Sequence, residues 1–340
     1  EYASQNLEPG TLEKYNAEID DKILPMLGHM ILTEIKPHNV NGFYVSMTKS
    51  GVRRDGKPGG YSKGTITKTA NVLSSILKTA VDWEVINRNP CDKVRTHGED
   101  VADKIKFFTP AQVSCFLEYI EKPYEIHTRG HSRVDDTGIQ YQVGDYTLTR
   151  TMPEQLRILF NLAVFSGLRK GEMLALQWSD IDFESKTVSI NKNLAKIKNR
   201  DTGKDTSKST LQVKGTKTSS SNRIIPLNSK AINALRELQM IYRQCGIKSK
   251  YVACSQKGGF LTNNRMHNLL ERMLKHTGID KPLTIHQLRH TFASRALNAG
   301  VSISVVSKWM GHASISTTYN IYIHAMEQER LTALDVLEAM

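Results

Sequence analysis

Apolar side chains recur at three- and four-residue steps through the first part of the chain, the spacing that lines one face of a helix. Leu12, Tyr15, Ile19 and Ile23 form such a face on a segment that Thr11 can cap. A second stripe, Ile66, Leu73, Ile76, Leu77, Ala80 and Val81, predicts a helix from about Thr65 to Val85. Its other face is polar and basic: Lys68, Asn71 and Ser75 share it, with Lys63 and Thr65 at its start. Those positions suit phosphate or groove contacts, and an ordinary wet surface is an equal reading for each residue alone. Asn87 to Pro90 stops the helix, and Thr96 to Lys106 shows no periodicity, so a domain boundary is placed there.

Phe107-Phe108-Thr109-Pro110 then supplies a capping threonine and a first-turn proline for a helix through Val113, Phe116 and Leu117. Residues 121–150 are a long polar interruption. Within it Ile139, Tyr141 and Val143 alternate before Gly144-Asp145, with Tyr146 and Leu148 after, which predicts a hairpin turning at that pair. Helices are expected at Pro153 to Phe165, Lys170 to Leu176, Lys230 to Gln244, Asn264 to His276, Thr284 to Asn298 and Ile303 to Met310. Strand-like runs fall at Thr187 to Leu194, Thr210 to Thr216 and Arg223 to Leu227. A tail from about Glu327 to Leu337 carries Leu331, Leu334 and Leu337 on one stripe, which must be buried somewhere.

Length and composition then bound the answer. The 340 residues suit about two domains, and 39% hydrophobic with 24% charged residues is a globular balance. No apolar run approaches the roughly 18 residues of a membrane span, and EYASQNLEPG lacks a signal-peptide pattern, so a soluble, cytoplasmic protein is expected. The chain starts at Glu1 with no Met, which leaves room for residues upstream. Cys91, Cys115, Cys245 and Cys254 contain no CxxC pair, and neither a zinc site nor a disulfide framework is expected.

The net charge of +12 is unevenly spread. Residues 1–100 hold 13 basic and 13 acidic side chains, so the whole excess lies beyond them. It is densest from Lys186 to Lys230, where 11 basic residues meet only Asp201 and Asp205. A polyanion is the partner this suggests.

One stretch carries chemistry directly. In Thr284-Ile285-His286-Gln287-Leu288-Arg289-His290, helical spacing puts His286, Arg289 and His290 on one face, an anion site. Upstream, Ser166-Gly167-Leu168-Arg169-Lys170-Gly171-Glu172 sets an arginine at a turn between two helices, with Glu172 able to orient it. Downstream come Gly311-His312 and, ten residues after that histidine, Tyr322. Trp178 reads as core, and Asp180 and Asp182 as turn or strand-start residues.

The ordered series of SGLRxGE, a lysine hairpin, HxLRHT, a GH and TTxxxYxH closely resembles the tyrosine recombinases, or phage integrase family, and is most similar to integrases of phages and Gram-positive conjugative transposons. That resemblance implies a mainly α fold with a small antiparallel β-sheet: a helical core-binding domain (1–96), a linker (97–106), an α+β catalytic domain (107–324, with 121–150 inserted) and a C-terminal tail helix (325–340), closing as a C-shaped clamp on duplex DNA. It implies DNA cutting and rejoining through a 3′-phosphotyrosine, with no metal, ATP or other cofactor. Four protomers would synapse inverted-repeat core sites through the tail, with accessory bending or directionality factors. An upstream arm-binding domain is also common in such integrases.

The chemistry accounts for the residue types. Attack on a phosphodiester builds negative charge on its non-bridging oxygens, which guanidinium donors stabilise. By motif match Arg169 and Arg289 take that role. A tyrosine with an ordinary pKa of about 10 needs nearby positive charge and a proton acceptor, for which His286 and His312 are the candidates. In the family the leaving 5′ oxygen takes its proton from a hairpin lysine, which the resemblance assigns to Lys217 with Lys214 as runner-up. The resemblance likewise implies Tyr322 as the nucleophile rather than Tyr319, which follows His312 too closely. Lys63, Thr65, Lys68 and Asn71 are the expected DNA contacts of the first domain. A type IB topoisomerase-like enzyme and a non-catalytic DNA-binding protein are the other classes considered.

Overall fold

The computed structural model describes residues 5, 7–96, 108–198, 209–215, 222–255, 257–261, 263–277, 279 and 284–322. Two compact units divide the chain: Glu1–Lys104 with Ile197–Lys208, and Ile105–Lys196 with Ser209–Met340.

In the first unit α1 (Pro9–Glu18) continues through a π turn (Ile19–Ile23) into α2 (Leu24–Leu27), followed by α3 (Pro37–Met47) and α4 (Lys63–Asp82). Helix α1 starts two residues before Thr11, with Glu8 at the position preceding it and Pro9 in its first turn. Ser62 caps α4 by accepting from the Thr65 amide, and its hydroxyl lies 3.1 Å from that of Thr65. The α4 stripe is buried at Ile66, Leu73 and Leu77 against Val40, Phe43, Tyr44 and Met47 of α3. Helix α3 was not singled out from sequence, although those four positions follow helical spacing. Its Asn39, Asn41 and Gly42 are poor helix formers, and burial of one face outweighs them. Thr69, fully buried, donates to Glu18 at 2.6 Å and ties α4 to α1.

The second unit begins with α5 (Pro110–Tyr119), capped reciprocally by Thr109 and Gln112. The polar interruption is two antiparallel ladders, β1 (Tyr124–Thr128) with β4 (Tyr146–Arg150) and β2 (His131–Val134) with β3 (Gln140–Val143). The turn lies at Asp135–Gly138, not at Gly144-Asp145. Asp135 accepts from the Thr137 and Ile139 amides and Gly138 supplies φ 88°. Asp145 instead accepts from the Gly130 amide, where one ladder passes into the other.

Helix α6 (Glu154–Ser166) is buried on nearly every side and packs against α8 (Ser229–Gln244) and α10 (Ile285–Asn298). After α7 (Lys170–Ala175), strands β5 (Ile181–Asp182), β6 (Thr187–Ile190) and β9 (Arg223–Pro226) form a three-stranded antiparallel sheet with Val188 opposite Ile225. The run expected as one strand from Thr187 breaks at Asn191, and β7 (Lys192–Lys198) pairs with β8 (Ser209–Gly215) in a separate ribbon. Helices α9 (Asn263–His276) and α11 (Ile303–Met310) complete the named elements, and residues 315–322 form a last helical segment. The expected linker 97–106, the turn 216–221 and the tail 325–340 lie outside the described residues.

Candidate active site

Two helix ends make the floor of the site. Helix α6 stops at Gly167 (φ 64°) and α11 at Gly311 (φ 61°), both left-handed as suits a residue without a Cβ. The last carbonyls of a helix lack partners within it and carry the negative end of its dipole. Here they accept from guanidinium groups. Arg289 on α10 donates to the carbonyls of Gly167 (2.8 Å) and Met310, Arg169 to that of Gly311 (2.9 Å), and Arg223 on β9 to that of Trp309 (2.6 Å).

Glu172 joins the three arginines. One of its oxygens accepts from Arg169 and Arg223, both at 2.9 Å. The other accepts from Arg223 and from the Arg169 amide, both at 2.8 Å, and lies 3.9 Å from Arg289. The carboxylate is 3% exposed. Burial alone would raise its pKa, but the Arg223 and Arg169 bonds outweigh that and hold it at about 2. Arg289, 1% exposed, has its pKa lowered to about 9 by burial and by Arg169, with Glu172 opposing, and stays charged at neutral pH. Arg169 is a third exposed. The cluster carries three positive charges on one negative, so it retains attraction for an anion.

Tyr322 enters from the 315–322 helix and is 1% exposed, packed with Ala293, Leu297, Val306 and Met310. Its hydroxyl lies 2.7 Å from Nδ1 of His290. Burial raises its pKa, with Arg289 pulling the other way. His312 and His286 were the acceptors expected beside the tyrosine, yet the imidazole that meets it is His290. The sequence placed His290 on the right helix face but did not select it. His312 is half-buried with Nδ1 2.8 Å from the Thr318 hydroxyl, and burial with Arg289, Arg169 and His290 lowers its pKa to about 4. His286 keeps one side open to solvent; crowding on the other, with Arg289, Arg169 and Lys170 near, lowers its pKa. Its ring stands edge-on to His290, centroids 4.9 Å apart.

Arg169, Arg289, His286 and His312 therefore share one electrostatic environment, and the Arg289 charge acts on Tyr322 as well. Arg223 was read only as part of a strand pattern. Its membership follows from the fold, because pairing β9 to β6 brings it to Glu172. Lys217 lies outside the described residues, and Lys214 is half-buried near the end of β8. Asp180 accepts from the Gln177 amide at 3.0 Å and pairs with Lys192 at 2.5 Å, while Asp182 accepts from the Glu184 and Ser185 amides. Asp180 thus ends a 3₁₀ turn and Asp182 lies in the short strand β5. Trp178 is half-buried, edge-on to Tyr242. In the first unit Lys68, Asn71 and Ser75 are exposed on α4, with Lys63 and Thr65 half-buried.

Residues 142–329 match the phage integrase family, and residues 1–47 match its N-terminal SAM-like domain. The chain belongs to the phage integrase family. The first match alone spans more than half of it. Among relatives of this family member, the tyrosine recombinase XerC-like protein of Caldanaerobacter subterraneus subsp. tengcongensis is 26% identical over 82% of this chain and 67% of its own length. The ICEBs1 integrase of Bacillus subtilis is 24% identical over 82% of this chain and 66% of its own. The chain thus spans about two thirds of these relatives. The Tn1549 transposon integrase, solved in complex with transposon right end DNA, superposes with a TM-score of 0.71 at 22% identity, over 97% of this chain and 98% of that one. That likeness concerns the fold. No helix among the described residues is long and apolar enough to cross a membrane.

Proposed function

We propose that this phage integrase family member is a site-specific DNA recombinase that integrates and excises a mobile element. The observation that carries the reading is the convergence of Arg169, Arg289 and Tyr322 in one unit, with the guanidinium groups fixed by Glu172 and by helix-end carbonyls. A scissile phosphate on the two arginines meets donors already in place, which favours the transition state because little reorganises during attack.

The Tyr322 oxygen forms a bond to phosphorus as the bond to the 5′ oxygen breaks, giving a 3′-phosphotyrosine and a free 5′ hydroxyl. The phenol proton passes to His286 or His312, which lie in the same cationic surroundings as the two arginines. Lys217 supplies the proton to the departing oxygen. Since one phosphodiester is exchanged for another of similar energy, neither ATP nor a metal is required. The exposed face of α4 contacts DNA through Lys63, Thr65, Lys68 and Asn71, and four protomers assemble on paired sites through residues 325–340. In this reading residues 1–96 bind the core site and residues 107–324 carry out catalysis.

A suicide substrate nicked beside the cleavage site tests this. The expected result is a covalent adduct that depends on DNA sequence, forms in EDTA, and disappears in Tyr322→Phe while DNA affinity holds. An adduct that persists in Tyr322→Phe, or is lost in Tyr319→Phe instead, would move the nucleophile. Cleavage without sequence dependence would point to a topoisomerase-like activity. Replacing the leaving 5′ oxygen by sulfur should rescue Lys217→Ala and leave Lys214→Ala unaffected.

A further inference from the structure

The tyrosine and the arginines that would act together are held very differently. Consecutive residues of α10 make the two attachments: Arg289 reaches helix-end carbonyls, and His290 reaches the hydroxyl of Tyr322. A buried phenol hydroxyl needs a polar partner, and here it meets His290 Nδ1 at 2.7 Å, with ring centroids 5.8 Å apart and inclined at 56°. The direction of the bond follows from charge. Burial keeps the phenol protonated, while burial with His286 and Arg289 lowers the His290 pKa to about 4, leaving that ring neutral. Tyr322 is then the donor and Nδ1 the acceptor, which fixes the tautomer with its proton on Nε2. An attacking oxygen must touch phosphorus, and this one belongs to a side chain buried in a cluster with Ala293, Leu297, Val306 and Met310 and has its proton committed to His290.

We propose that His290 is a positioning residue that stores the Tyr322 hydroxyl in an enclosed, protonated resting arrangement, so that cleavage requires this bond to open. The proposal rests on the reading of Tyr322 as the nucleophile, but its test does not. Tyr319, three residues away and 44% exposed, is an internal reference. Nitration of the DNA-free full chain by tetranitromethane, followed by peptide mass spectrometry, reads both tyrosines at once. In the wild type Tyr322 should react far more slowly than Tyr319.

His290→Phe keeps a ring and removes the acceptor, and should raise the Tyr322 to Tyr319 ratio by about fivefold, the scale of one net hydrogen bond. His290→Asn, which offers an oxygen close to the place of Nδ1, should restore the low ratio. On the suicide substrate the Phe variant should form adduct several-fold more readily on an isolated site. An unchanged ratio in a folded His290→Phe protein, or equal ratios in the Phe and Asn variants, would overturn the proposal. So would an unchanged ratio with cleavage lost about a hundredfold, since that assigns His290 to proton transfer instead. Failure of Tyr322→Phe to abolish the adduct would sink the nucleophile assignment alone, leaving the nitration result to stand on its own.

Discussion

The polar face of α4 and the arginines around Glu172 are both cationic, and both read from sequence as places to meet an anion. Their construction differs. Lys68 and Asn71 stand exposed on a helix whose opposite face is buried, so the fold does not depend on them. Arg169, Arg223 and Arg289 share a carboxylate that is 3% exposed and spend further donors on helix-end carbonyls. Exposed cations supply attraction that salt screens and that varies little with position. Enclosed, partnered cations supply direction, and they bind chemistry and stability together.

The sharpest way to break this contrast is Glu172→Ala. If the arginines were one more basic patch, deleting an acid would leave folding alone and tighten DNA binding. We expect instead a loss of about 3 to 5 kcal/mol in the stability of the second unit, the scale for breaking a buried ion pair, together with loss of cleavage. Thermal denaturation and adduct formation measure the two.

Acid makes the same point without a mutation. The Glu172 pKa is depressed from an ordinary value near 4.3 to about 2. Its contribution is therefore full above about pH 5 and is lost as pH falls through about 2. The expected loss is on the order of 3 kcal/mol. Unfolding followed from pH 5 to 2 should show this sensitivity in the wild type and lose it in Glu172→Gln.

The arginines themselves separate position from charge. Arg169→Ala and Arg289→Ala should each slow cleavage about a hundredfold, the cost of one transition-state contact. Arg289→Ala should lower the melting temperature more than Arg169→Ala, since it strands two buried carbonyls, those of Gly167 and Met310, where the loss of Arg169 strands that of Gly311 alone. Equal melting temperatures would mean that burial does not distinguish the two. The smallest effect belongs to α4: Lys68→Ala should weaken DNA binding a few-fold and reduce the salt slope by about one, with no change in stability.

The two halves of this contrast were unequally legible. Periodicity is a local signal, so the α4 stripe, the Thr109 cap, the start of α10 near Thr284 and the extent of α11 could be read directly from residue order. Arg169 and Arg289 were found because each sits in a compact local box. Arg223 was not, because its relation to Glu172 exists only once β9 pairs with β6. His290 was passed over for a similar reason: nothing near it in the chain announces a tyrosine 32 residues later. In residues 121–150, alternation marked β3 and β4 but could not choose their partners, and the Asp135–Gly138 turn settled the register.

The bonds from Arg289 to Gly167 and from Arg169 to Gly311 join residues 122 and 142 positions apart. Closing loops of that length costs entropy before any contact compensates, so such contacts form late in folding. During synthesis the segment holding Arg169 leaves the ribosome well before Gly311 exists to receive it. A nascent chain therefore has its helical first unit, with the α4 face, available while the cutting apparatus is still chemically silent. Chains stalled or clipped before the α11 terminus should compete for DNA without ever nicking it.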